Sequence, residues 1–283
     1  MIAQIELLLD KMSVRPHVDI IADLALPLPV SVIGTMLGVP DDDRAAAASL
    51  VRDLVAPLEP SADAAAVARA AVAEDRLTDY FTGLLSANAE RRATIYSAGW
   101  PPRARGRRVR RRRMRGTALL LFAAGFETTA NLIGNGVAAL LAHPEQMHLL
   151  RERPEIVGTA VEELLRYDAP VQTNGCTVLR PTTLASHDLT PGGPCSHSLV
   201  PPTATPTSST TPTLSISPGP DAPHLPSEPK SISASAHRWP DSKEPKCFPR
   251  LLSRFRHLAL AGNPGRRRGL SFRGLTSLPV STR

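Results

Sequence analysis

The sequence predicts a mainly α fold that is well patterned in two stretches and interrupted between and after them. Three observations carry this expectation. Apolar residues recur at helical spacing through most of residues 2 to 86 and again from 116 to 167. An arginine-rich run, TIYSAGWPPRARGRRVRRRRMR, fills residues 94 to 115 without any apolar period. From about Gly192 to Pro245 the chain becomes rich in Pro, Ser and Thr and loses periodicity altogether. Such a segment cannot bury enough apolar surface to offset an ordering entropy of roughly 1–2 kcal/mol per residue, so a long disordered C-terminal segment is expected.

The elements follow in order. Ile2, Ile5, Leu8, Leu9 and Met12 share one side of a first helix over residues 2 to 14. Pro27 and Pro29 break the apolar stretch after it, and a helix from about Val30 to Leu37 ends at Gly38. Asp41 to Asp43 offer a cap, and negative charge at the positive end, for a helix over 43 to 56. Ser61 or Asp63 opens an alanine-rich helix to about Ser86. A long helix spans 116 to 142 and stops at His143-Pro144, because proline disfavours the helical conformation in the residue before it. A short helix over 145 to 151 and another over 155 to 167 follow. The second carries Ile156, Ala160, Leu164 and Tyr167 on one side. TVLRPTTLASHDL is strand-like, and the end of the chain from residue 248 regains a short helix and strand-like pieces. The expected divisions are 1–93, a basic irregular linker over 94–115, 116–190, a disordered 191–247, and 248–283.

Charge follows the same divisions. Residues 1 to 90 carry 6 Lys and Arg against 14 Asp and Glu, whereas residues 91 to 115 carry 11 Arg and no acid. The net charge of +7 is therefore an average over unlike segments. The run RARGRRVRRRRMR, residues 103 to 115, could neutralise phosphates, which makes a basic nucleic-acid-binding protein the alternative function. The run has no interleaved aromatic residues, so incidental polyanion binding is the simpler expectation. Cys176, Cys195 and Cys247 form no CxxC pair and argue for neither a disulfide framework nor a zinc site. MIAQIELLLDKM has neither a basic leader nor an apolar core, and no signal peptide is expected. Residues 117 to 142 have membrane-like length, but Glu127, Asn131 and Asn135 would be costly in lipid. A buried helix of a cytoplasmic protein, with no membrane partner, is the expectation.

Two constellations carry chemistry. In LLLFAAGFETTANLIGNGVAALLAHP, Gly125, Glu127, Thr128 and Thr129 interrupt an apolar helix. Glycine costs about 1 kcal/mol in a helix interior, and a threonine hydroxyl can bond back to a carbonyl one turn earlier. The helix could widen there and admit a ligand or water, beside an acid and a hydroxyl able to relay protons. A polar seam facing another helix is the plain alternative. In AVEELLRYDAPV, Glu163 and Arg166 lie three apart on one face of a helix.

The two blocks, in this order and about 35 residues apart, resemble the bacterial cytochromes P-450, which are soluble heme-thiolate monooxygenases. VDIIADLALPLPVSVIGTMLGVPDDDR is similar to the stretch that the family places upstream. The likeness covers about residues 1 to 93 and 116 to 190 and implies a partial cytochrome P-450 fold. It implies heme as cofactor, a small organic molecule as substrate, and a ferredoxin-type redox partner. By the same resemblance Glu127 and Thr128 would be the catalytic acid–alcohol pair. Ala124, Gly125 and Thr129 would lie at the cofactor, with Gly125 opening the helix above the heme. Glu163 and Arg166 would form a structural ion pair beneath it.

The family's heme ligand is a cysteine thiolate in a glycine-rich loop, and thiolate ligation favours cleavage of the O–O bond. Cys247, in EPKCFPR, has neither the glycines nor the preceding His of that loop, and no residue is assigned as a metal ligand. The family's earlier His-x-x-x-Arg segment, a partner of the heme propionates, is also missing. The expected consequence is an inactive chain. Shifting the reading frame of the codons permitted for residues 225 to 247 yields text near the missing loop, with its cysteine codon straddling Ser233 and Ala234. Similar shifts under PPTATPTSSTTPTLSISPGP and ATIYSAGW also yield family-like text. Residues of about 94 to 113 and 192 to 246 are accordingly expected to be out-of-frame translation of a monooxygenase gene.

Overall fold

A computed structural model of the chain describes residues 1–87, 107–184, 186–198 and 246–283. Helix α1 (Ile2–Ser13) buries Ile5, Leu9 and Met12, the stripe its sequence spacing marks out. Strand β1 (His17–Asp19) leads into a π-helical turn (Ile21–Ala25), where Asp19 Oδ1 accepts the Ile21 amide at 2.8 Å. Helix α2 (Pro27–Leu37) starts earlier than residue 30, because Pro27 occupies its first turn, where a missing amide proton costs nothing. It ends at Gly38 in the left-handed conformation, φ 71°, with the Val39 amide bonded to Gly34 O at 2.7 Å.

Helix α3 (Asp41–Val55) begins at Asp41 itself, so the three aspartates fill its first turn rather than precede it. A 3₁₀ turn (Ala56–Leu58) follows. Helix α4 (Ala64–Ala87) is capped by Asp63, whose Oδ1 accepts the Ala66 amide at 2.7 Å. Helix α5 (Arg107–Ala142) is 36 residues long. Its start corrects the expected linker: residues 107 to 115 continue the helix, while 94 to 106 lie outside the described residues. Helix α6 (Pro144–Glu152), a 3₁₀ turn (Pro154–Ile156) and helix α7 (Val157–Tyr167) come next.

Strands β2 (Thr173–Thr177) and β5 (Pro194–Ser198) pair antiparallel around the small hairpin of β3 (Thr182–Leu184) and β4 (His187–Leu189). Strand β5 corrects the expectation of disorder from residue 191, and the remainder of that stretch, 199 to 245, lies outside the described residues. Helix α8 (Cys247–Arg254) opens the last part, followed by β6 (Ala259–Leu260), β7 (Gly265–Arg266), β8 (Leu275–Ser277) and β9 (Pro279–Ser281). The order β1-β9-β6 joins the two ends of the chain, with Val18 opposite Val280. Arg250 and Arg254 of α8 add ion pairs to Glu6 and Asp10 of α1.

Two apolar clusters form the core, and α5 runs through both. Its first half gives Ala118, Phe122, Phe126 and Ala130 to a cluster with α2, α3 and α4, where Phe81 meets Phe122 edge-on at 5.9 Å. Its second half gives Ile133, Val137 and Leu140 to a cluster with α1, α7, α8 and β9. Gly136 allows the close crossing there: a Cβ on it would lie 2.7 Å from the Phe248 ring. By length and apolarity α5 could cross a membrane, but its partners in this fold are protein helices and strands.

Candidate functional site

Glu127, Asn131 and Asn135 recur every fourth residue along α5 and therefore line one stripe. All three are buried, at 3%, 3% and 2% exposure, which polar side chains tolerate only with partners. Glu127 and Asn135 find partners chiefly in the C-terminal segment, whereas Asn131 Nδ2 is buried with no hydrogen-bond partner. Arg267 Nη1 pairs with Glu127 Oε1. Asn131 Oδ1 lies against Gly274, so closely that a Cβ there would clash. Asn135 Nδ2 donates to Arg273 O at 3.1 Å and to Asp168 O at 3.3 Å. The buried helix does carry a polar seam, but it faces an irregular strap and not the expected helix.

The strap is held from two further sides. Glu59, just past the 3₁₀ turn after α3, accepts the amides of Leu270, Ser271 and Phe272 at 2.7–2.9 Å. Ser271 Oγ donates to Leu58 O at 2.8 Å. Asp168, just past α7, lies 2.6 Å from Arg273 Nε and 3.7 Å from Arg266 Nη1. None of Glu59, Asp168, Arg267 or Arg273 has a sequence signal for this role. For Asn131 and Asn135 the four-residue spacing from Glu127 was such a signal.

The structure places the other expected residues as follows. Thr128 is half-buried, and its Oγ1 donates to Ala124 O at 2.8 Å, the back-bond foreseen for a helical threonine. Ala124 is exposed, as is Leu121 one turn before it, so this face of α5 is open; Thr129 is half-buried. Helix α5 stays regular through Gly125, where widening was expected. A Cβ at Gly125 would lie 3.6 Å from Ile33 Cδ1, an ordinary contact, so Gly125 packs on α2. Glu163 and Arg166 are joined twice, Nε to Oε2 at 2.7 Å and Nη2 to Oε1 at 2.8 Å. Donating to the Glu163 carboxylate raises the Arg166 pKa, against the opposing effect of burial.

Whether these residues fit a heme turns on the donor set. Cys247 begins α8 and sits in the core cluster, with its thiol pushed up to about 12 by burial. It is a neutral core thiol, whereas a metal ligand must be a thiolate. Cys176 and Cys195 lie on the β2–β5 ladder. Arg267 meanwhile takes one oxygen of the expected catalytic acid, and Glu127 Oε2 is buried with no hydrogen-bond partner. The described residues do not fit a thiolate-held heme.

No protein-family profile matches the chain. It is 37% identical over 173 residues to cytochrome P-450 CYP107DY1 of Priestia megaterium, across 59% of this chain and 40% of that protein. It is 38% identical over 173 residues to the cytochrome P-450 monooxygenase PikC of Streptomyces venezuelae, across 59% and 39%. The chain thus spans about two fifths of the length of these curated relatives. Among solved structures, P-450 BioI, crystallised in complex with an acyl carrier protein ligated with hexadec-9Z-enoic acid, superposes with a TM-score of 0.83. That likeness has 28% identity and covers 99% of this chain and 72% of that one. PksS of Bacillus subtilis superposes at 0.79 with 27% identity, covering 98% and 72%. In sequence and in fold, the chain is similar to bacterial cytochromes P-450, whose cofactor is heme.

Proposed function

We propose that this chain derives from a cytoplasmic heme-thiolate monooxygenase that oxidised a small organic molecule with electrons from a ferredoxin-type partner, and that it no longer carries out that reaction. Bound heme would supply dioxygen activation; Cys247, the cysteine of the last helix, is buried in the core cluster and not free to hold it. The observation that carries the proposal is Cys247. The cysteine that begins the last helix is buried in the apolar core cluster, with burial raising its thiol pKa, instead of lining a cofactor site. The pairing of Arg267 with Glu127 supports it, since an acid held by a guanidinium is a poor proton relay.

Heme titration of the purified full-length chain tests this. The expected result is no saturable uptake and, after reduction under carbon monoxide, no Soret band of a thiolate complex. A red protein whose iron is ligated by a sulfur of this chain overturns the proposal. The cause proposed for the loss is a shifted reading frame across about residues 94 to 113 and 192 to 246. The gene's nucleotide sequence over codons 90 to 250 tests that separately: stop codons in the alternative frame would remove it.

A further inference from the structure

Cys176 and Cys195 stand directly opposite each other on β2 and β5. The turn chemistry fixes that register. Gly192 adopts a left-handed backbone, φ 84°, and donates its amide to Val178 O at 2.8 Å. Val178 in turn donates to Gly193 O at 3.0 Å, and Gly193 to Thr190 O at 3.1 Å. This is a tight turn closed by a G1 bulge, in which the glycine is the extra residue. Counting back from the bulge by strand alternation, Thr177 faces Pro194 at a position that needs no amide proton. Cys176 and Cys195 then face each other at the next position, where the two backbones exchange hydrogen bonds. Their side chains leave the ladder on the same face.

Opposed residues at such a position have Cα atoms about 5.5 Å apart. A disulfide spans Cα separations of about 4.4–6.8 Å, with Cβ atoms about 3.5–4.5 Å apart. Directly opposed Cβ atoms in a ladder are about 4.5–5.5 Å apart, and the hydrogen-bonded position lies towards the wide end of that range. The backbones meet the requirement, and the Cβ atoms must draw slightly together. The strain of drawing them together makes such a bond more easily reduced. Both residues carry thiols; Cys176 is exposed and Cys195 half-exposed, so a small reagent reaches them, whereas Cys247 is buried.

We propose that Cys176 and Cys195 form a reversible dithiol site that closes to a disulfide by exchange with a low-molecular-weight disulfide such as glutathione disulfide. The Cys176 thiolate attacks one sulfur of glutathione disulfide, breaking its S–S bond and releasing one glutathione. Cys195 then displaces the second glutathione from the mixed disulfide, forming the Sγ–Sγ bond. The two thiols lose two protons and two electrons, and one glutathione disulfide leaves as two glutathione molecules. The site is independent of whether the chain holds heme.

The test equilibrates the full-length chain in buffers of fixed glutathione to glutathione-disulfide ratio, quenches with an alkylating reagent, and cleaves between the cysteines before Asp188. The expected product is two peptides joined until reduction, with Cys247 alkylated only after denaturation. The effective concentration of one thiol towards the other should be at least roughly tenfold higher in the folded chain than in urea. Gly192→Ala, which strains the bulge, should lower it towards the denatured value. Equal values folded and in urea overturn the proposal, since 18 intervening residues of flexible chain would then account for the bond. So do stable separate glutathione adducts on the two cysteines, or a disulfide between two chains.

Discussion

Glu127 shows how one residue type serves two designs. On an otherwise apolar helix a carboxylate needs a partner or a proton, because burying a charge is costly unless it is compensated. Here the partner is Arg267, 140 positions later in the chain. Arg267→Ala leaves the carboxylate uncompensated and should destabilise the fold by about 3–5 kcal/mol in urea denaturation. Glu127→Gln, which removes the charge and keeps the shape, should cost clearly less than the arginine deletion. Equal costs would mean that charge pairing is not what Arg267 contributes.

Cys247 gives the pH dependence at the same scale. Burial raises its thiol from an ordinary 9.0 to about 12. Below pH 9 both folded and unfolded chains keep this proton, so the stabilisation is fully present. Between about pH 9 and 12 the unfolded chain ionises first, and stability falls as pH rises. Urea midpoints measured from pH 8 upward should fall less steeply for Cys247→Ala than for the unaltered chain. At pH 8 Cys247 should also resist alkylation while Cys176 reacts.

The strap over residues 265 to 275 is an element whose order comes from its neighbours. It has only the short β7–β8 pairing of its own, so its amides turn elsewhere. Three consecutive ones reach the single carboxylate of Glu59. Glu59→Ala should release all three, costing about 1–3 kcal/mol. Hydrogen exchange at Leu270, Ser271 and Phe272 should accelerate together, while exchange in the middle of α5 is little changed. Helix α5 behaves differently. Its interior bonds are its own, and its two halves are fixed by two separate apolar clusters.

Across the whole molecule, charge and topology are distributed unevenly. Residues 107 to 115 of the arginine run open α5 in a chain of net charge +7. Binding to a polyanion should therefore be salt-sensitive and carry no sequence preference. On a heparin column, replacing Arg107, Arg108, Arg110, Arg111, Arg112 and Arg113 by Gln should lower the salt needed for elution. An unchanged elution point would place the binding elsewhere. Topology closes the molecule end to end: β9 lies between β1 and β6, and Asp19 Oδ1 also accepts the Leu278 amide at 3.0 Å. The last residues of the chain are thereby part of the fold's first layer.

The helices were legible in the sequence because their causes are local. Apolar spacing marked α1, α4 and α7, Gly38 marked the end of α2, and His143-Pro144 the end of α5. The start of α5 was misplaced, since an arginine run has no apolar period yet arginine is a good helix former. The bidentate geometry of Glu163 and Arg166 was open to a local reading for the same reason, as both sit on one helical face. What only the tertiary structure decided was every partnership across a long separation: Glu127 with Arg267, Glu59 with three amides of the strap, Asn135 with Arg273, Cys176 opposite Cys195. Those depend on where loop closure brings distant residues together, and no periodicity in a single segment encodes that.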